Sequence, residues 1–254
     1  MSNEAAPIVL IHGLWLSVDS WRGWVERYRS AGHVVHAPDW PTDPGIGLVE
    51  ATEHFDAFVA SLPDAPIIIG HSMGGLITQL LLDRGLGRAG VAIQPSKPRG
   101  VLRAPLSMWR SAWPWLRDPR NRGKAVPISA AHFHYAFANT ISRACSDRWH
   151  SELAIPAPGA ALFDVSTADL LPKSRAASAV DFANADRAPL LLIAGDRDHL
   201  MPASVVYENF NRYRRSSAPT DFKVFRGSPH LITVLDGWED VADHALSWTA
   251  VHTR

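Results

Sequence analysis

Short apolar runs alternate with stretches of helical periodicity at both ends of this chain. Five runs, Ile8–Ile11, Val34–Ala37, Pro66–Ile69, Val91–Ile93 and Leu190–Ala194, read as strands covered on both faces. A sixth, Phe222–Phe225, alternates more and predicts a strand nearer the sheet edge. Between the runs lie helical patterns. Ser20–Ala31 opens on an N-cap residue and spaces Trp21, Trp24, Val25 and Tyr28 along one side. Val49–Leu62 sets Phe55, Phe58, Val59 and Leu62 on one stripe. Gly75–Leu82 is apolar nearly all round, as a buried helix is, and Ala203–Tyr213 and Trp238–Val251 complete the set. Strands alternating with helices predict a parallel sheet with right-handed crossovers.

The rhythm breaks over Ser96–Val180. This stretch has no clear strand run, is rich in proline and aromatic residues, and carries helical patterns at Pro105–Trp115, Ala130–Ser142 and Cys145–Leu153. It reads as a helical insertion (residues 96–180) into a core made of residues 1–95 and 181–254.

With 254 residues, the chain has length for one large domain or one domain with an insert. Its single Cys145 forms no internal disulfide. Lys and Arg (25) balance Asp and Glu (25), which argues against nucleic acid as a partner. The first seven residues carry no positive region and no run reaches membrane-span length, so a cytoplasmic protein with no integral membrane segment is expected. The charge is uneven. Residues 97–124 hold eight basic side chains and one acidic, a net of +7 interleaved with tryptophans. That block admits three readings: a solvated helix face, a transient contact with an anionic lipid surface, or an attractor for a carboxylate-bearing substrate.

The strongest chemical signal is Gly70-His71-Ser72-Met73-Gly74-Gly75, a G-x-S-x-G sequence between a strand run and an apolar helix run. A serine on such a turn takes a strained backbone that leaves no room for side chains at the flanks, hence the glycines. The turn raises the hydroxyl above the sheet and sets the Met73 N–H at a helix start, where it can bind an oxyanion. Ile8-Val9-Leu10-Ile11-His12-Gly13-Leu14-Trp15 offers the second oxyanion donor, the Leu14 N–H, with His12 read as a loop-bonding residue. A serine needs a base held by a third group. His230, on the loop after the last strand run, is the candidate base. Asp198, after the Leu190–Ala194 run, is the candidate acid in preference to Asp196. The chain order Ser72, Asp198, His230 suits this arrangement.

These four segments resemble the α/β-hydrolase superfamily, over roughly residues 7–95 and 188–251. The resemblance implies an α/β fold, a mostly parallel sheet of about six strands flanked by helices. It also implies a helical lid inserted before the penultimate strand, where Ser96–Val180 lies. It supports Asp198 over Asp196, because the family's Gly-led segment normally uses the second acidic position. Two departures stand out: the family's two leading strands are missing from the pattern, and the His230 loop reads Ser-Pro-His where Gly-His is frequent.

The expected activity is hydrolysis of a small or medium apolar ester, lactone or thioester through an acyl-enzyme on Ser72, with no cofactor and no metal. His132-x-His134 has no accompanying ligand pattern. Serine at position 72 argues against chemistry that needs a carboxylate nucleophile. Alternatives on the same scaffold are carbon–carbon bond hydrolysis, cofactor-free perhydrolysis, a lyase step, or a non-catalytic ligand receptor. For the substrate pocket the aromatic supply points to Trp15, Trp109, Phe133 and Phe137. The partner is a small molecule, and nothing in the sequence sets the oligomeric state.

Overall fold

The apolar runs pair side by side in the computed structural model, which describes residues 6–41, 43 and 45–253. The leaderless start read from the sequence lies, for residues 1–5, outside the described residues. Eight strands form among the described residues: β1 (Ile8–Ile11), β2 (Val35–His36), β3 (Ile67–His71), β4 (Ala89–Ile93), β5 (Ala125–Val126), β6 (Ala157–Pro158), β7 (Leu190–Gly195) and β8 (Thr220–Phe225). Six of them make one parallel sheet in the order β2-β1-β3-β4-β7-β8. β1, β3, β4 and β7 are buried throughout, whereas β8 at the edge alternates covered and exposed positions.

The helices are α1 (Arg22–Ser30), α2 (Leu48–Ala60), α3 (Met73–Asp83), α4 (Leu106–Leu116), α5 (Ala130–Ala136), α6 (Arg143–Leu153), α7 (Gly159–Ser166), α8 (Ala203–Arg212) and α9 (Trp238–His252). The two-residue period of a strand sends alternate side chains to opposite faces. Ile8, Leu10, Ile67, Ile69, Val91 and Ile93 pack against Trp24 and Tyr28 of α1 and Val241 and Ala245 of α9. Val9, Ile11, Ile68, Ala92 and Leu192 pack on the other face with Phe55 of α2, Leu76 of α3 and Val206 of α8. The buried aromatics find polar partners as well: Trp24 Nε1 donates to Thr233 O at 2.9 Å, and the Tyr28 hydroxyl donates to Ala242 O at 2.9 Å.

Between β4 and β7 the chain makes α4 to α7 and an antiparallel ribbon of β5 with β6. The sequence predicts no strand here; each ribbon strand is two residues long, too short to carry a periodic signal. It also predicts a helix running on to Ser142, but α5 stops at Ala136. Ser142 instead accepts from the Cys145 N–H and caps α6, a position outside any helix interior. α7 goes unforeseen. The insertion packs on the core rather than standing apart. Trp115, Val126, Phe133, Phe137 and Leu153 belong to the same apolar cluster as Val9 and Leu76. Main-chain bonds from Ile155 N to Trp15 O (3.1 Å) and Leu231 N to Phe137 O (2.8 Å) tie it to the loops at the C-terminal edge of the sheet.

Candidate active site

The parallel sheet brings the loops after β1, β3, β7 and β8 to one edge. β3 turns into α3 through Ser72, whose φ of 55° and ψ of −117° lie in a region that costs a non-glycine residue about 1–3 kcal/mol. Neighbouring bonds hold it there. Ser72 N donates to Ile93 O at 2.9 Å, and Ser72 O accepts from Ser96 N at 2.9 Å and Leu76 N at 3.2 Å. The glycines have definite reasons. A Cβ at Gly70 would strike the Gly74 carbonyl, and one at Gly74 would strike the Ile11 carbonyl. A Cβ at Gly13 would come within 2.7 Å of the Ser72 Cβ, so the His12-Gly13 loop reaches the elbow only as glycine.

Asp198 and His230 meet in the buried layer behind these loops. Asp198 Oδ1 accepts from Leu200 N (2.7 Å) and Met201 N (2.8 Å), while Oδ2 accepts from His230 Nδ1 at 2.7 Å. Both side chains are fully buried. A neutral imidazole that donates through Nδ1 carries its lone pair on Nε2. His230 Nε2 is buried and has no hydrogen-bond partner among the described residues. Asp196, by contrast, is exposed, and its Oδ1 accepts from Gly227 N at 2.6 Å, tying two loops together.

Two further residues hold the backbone of Pro229 and His230. His71 Nε2 donates to His230 O at 2.9 Å, and the two rings sit 4.7 Å apart. Burial first, and the neighbouring His230 second, hold the His71 pKa well below the ordinary histidine value, so it stays neutral. Gln94, at a φ of 44°, donates through Nε2 to Pro229 O at 2.9 Å. His71 was visible inside the elbow motif, but its role was not; Gln94 carried no signal. His12 bonds through Nδ1 to its neighbour's carbonyl, Gly13 O, and burial lowers its pKa.

Ser72 opens on a cavity of about 70 Å³ whose walls include Leu14, Trp15, Met73, Trp115, Leu162 and Met201. Trp15 stacks on Trp115 at 4.1 Å. Leu14 and Met73, the expected oxyanion donors, are therefore beside Ser72; the Met73 N–H, in the first turn of α3, has no intrahelical acceptor. Of the four aromatics expected to line a pocket, Trp15 does so. Trp109 lies on the outer side of α4, 52% exposed, because it sits about a third of a turn around the helix from Trp115. Phe133 and Phe137 are fully buried behind the cavity, stacked on each other, with Phe137 edge-on to His230 at 4.9 Å. Met108, Leu162 and Met201 were missed, since nothing local marks which residues of an insertion will face a distant loop. Among the described residues no group of three or more His, Cys, Asp or Glu is placed to hold a metal ion.

The model of the Alpha/beta hydrolase family matches residues 8–244, and the chain belongs to that family. No curated protein matches the chain. Among solved structures, a monoacylglycerol lipase of Paleococcus ferrophilus is 22% identical with a TM-score of 0.70, covering 98% of this chain and 96% of that one. A methylesterase from Arabidopsis is 15% identical with a TM-score of 0.68, covering 97% and 100%. Tomato methylketone synthase I, complexed with 2-tridecanone, is 17% identical with a TM-score of 0.69, covering 97% and 98%. These likenesses establish the fold.

Proposed function

We propose that the protein hydrolyses a carboxylic ester of a small or medium apolar substrate, a lactone or thioester included, through an acyl-enzyme on Ser72. The observation that carries this reading is the strained Ser72 turn opening on an apolar cavity, with the buried Asp198–His230 pair on the same edge of the sheet. In this mechanism His230 Nε2 takes the hydroxyl proton as Ser72 Oγ attacks the acyl carbon. Asp198 keeps the proton on Nδ1 and stabilises the imidazolium. The Leu14 and Met73 N–H groups receive the oxyanion, each contributing about 10²–10³ in rate. His230 returns the proton to the leaving alkoxide, and water then repeats the sequence on the acyl-enzyme. Esterase and lipase names among the structural neighbours favour ester hydrolysis over the other reactions of the scaffold.

Residues 96–180 act as a lid in this reading, over a core of 1–95 and 181–254. A cavity of about 70 Å³ holds about two waters, whereas ligand sites span about 300–1,000 Å³. Substrate entry therefore requires side chains of α4 or α7 to move aside. The test is mass spectrometry after fluorophosphonate treatment, alongside p-nitrophenyl esters of increasing chain length. A stoichiometric adduct on Ser72 with ester turnover is the expected result. Turnover retained in Ser72→Ala overturns the acyl-enzyme.

A further inference from the structure

α4 is apolar on two adjoining sides. Met108, Ala112, Trp115 and Leu116 face the cavity beside Ser72. Leu106, Trp109 and Trp113, at i, i+3 and i+7, share a stripe turned about 110° from that side and are 87%, 52% and 58% exposed. Large apolar side chains clustered in water mark an interaction surface rather than a solvated face. With Tyr135 they border an open groove of about 640 Å³ along α4 and α5.

The charges around this face say what covers it. Of the eight basic residues in 97–124, Lys97, Arg120 and Arg122 pair with Asp169, Asp118 and Asp164. The side chains of Arg99, Arg103, Arg110, Arg117 and Lys124 have no carboxylate partner among the described residues. Arg110 and Arg117 lie on the same side of α4 as the tryptophans, and the Arg110 guanidinium rests 4.3 Å above the Tyr135 ring. Indoles flanked by unpaired guanidinium groups match a layer with anionic headgroups outside and acyl chains beneath. No helix among the described residues is long and apolar enough to cross a membrane, so contact of this kind is peripheral.

We propose that the outer face of α4, Leu106, Trp109 and Trp113 flanked by Arg110 and Arg117, docks the protein on an anionic lipid surface. The link to catalysis rests on the esterase reading: the helix whose outer side meets lipid is the helix whose inner side closes the Ser72 cavity, so the substrate is an ester held in that surface. Docking itself does not depend on turnover.

The test is co-sedimentation of full-length Ser72→Ala protein with vesicles of phosphatidylcholine alone or mixed with equal phosphatidylglycerol, at low and high salt. Binding to the mixed vesicles, weakened by salt, is expected. Trp109→Ala with Trp113→Ala should reduce it more than tenfold, and Arg110→Gln and Arg117→Gln about fivefold each. These positions are exposed, so unchanged thermal melts will show that the fold is kept. Absence of binding to mixed vesicles, or binding indifferent to the tryptophan pair, overturns the proposal. So does a dimer formed without lipid and abolished by the same pair, which assigns the face to a second copy. Vesicle binding without ester turnover by the native chain sinks the esterase reading and leaves docking standing; ester turnover without vesicle binding does the reverse.

Discussion

Replacing Asp198 by Asn should disable the site while leaving it folded. The carboxylate receives three hydrogen bonds, two from main-chain N–H groups on Oδ1 and one from His230 on Oδ2. An asparagine has one acceptor oxygen and two orientations. With its oxygen on Leu200 N and Met201 N, the amide NH₂ points at His230 Nδ1. With the amide turned over, two buried N–H donors face an NH₂ group and go unpaired, at about 1–3 kcal/mol each. The first orientation therefore wins by about 2–6 kcal/mol. It obliges Nδ1 to accept, moves the ring proton to Nε2, and removes the lone pair that Ser72 needs. Tautomer loss of this kind costs about 10⁴ in kcat, or about 5.4 kcal/mol of transition-state stabilisation. Asp196→Asn keeps its oxygen for Gly227 N and should change kcat by less than about threefold, since that exposed bond lies off the reaction path. The assay is kcat and KM on a short p-nitrophenyl ester, with thermal melts of both variants. An Asp198→Asn enzyme within tenfold of native, or an Asp196→Asn enzyme that is the crippled one, refutes the assignment of the acid.

Gly13→Ala places a methyl within 2.7 Å of the Ser72 Cβ, so esterase activity should fall by about 10² or more, with a Tm drop that reports the overpacking. Gln94→Leu strips the donor from a buried Pro229 carbonyl; urea titration should show a loss of about 1–3 kcal/mol, and an unchanged midpoint would contradict the hydrogen bond. His12 and His71 have native pKa values lowered by burial, so the unfolded chain takes up their protons first. Stability is then whole above the unfolded value near 6.5 and declines as the pH falls below it, by about 1.4 kcal/mol per unit for each histidine. Urea midpoints measured from pH 7.5 downward should trace that slope, and His71→Asn should flatten it. Met108→Ala and Leu162→Ala enlarge the cavity wall, and the preferred acyl chain should lengthen on the p-nitrophenyl series.

The legible parts of this molecule are those written in contiguous residues. The four central strands are continuous apolar runs because both their faces are covered, and such runs stand out without knowing what covers them. The Ser72 turn is equally local: its strain demands glycines two residues to either side, and they sit in the same pentapeptide. The ribbon of β5 and β6 was not legible, since two residues carry no period and their pairing joins segments some thirty residues apart. Asp196 and Asp198 were hard to tell apart for a related reason. They share one loop, and only the fold shows which carboxylate is buried against His230 and which lies in water.

Sequence alone marked the parallel sheet and the elbow at Ser72, since each rests on periodicity or on steric demands within a few residues; Asp198 and His230 were candidates that rested on motif order and on the family resemblance. Tertiary structure decided what surrounds them. It turned Trp115 of α4 toward the cavity and Trp109 away from it, a choice set by how residues 96–180 pack on Trp15 and, through Phe137, on Leu231. It also set His71 and Gln94 beneath the His230 loop, across separations of more than a hundred residues. A helix carries its two faces in its sequence; which face meets the active site and which meets the surroundings is fixed only when the rest of the chain has packed against it.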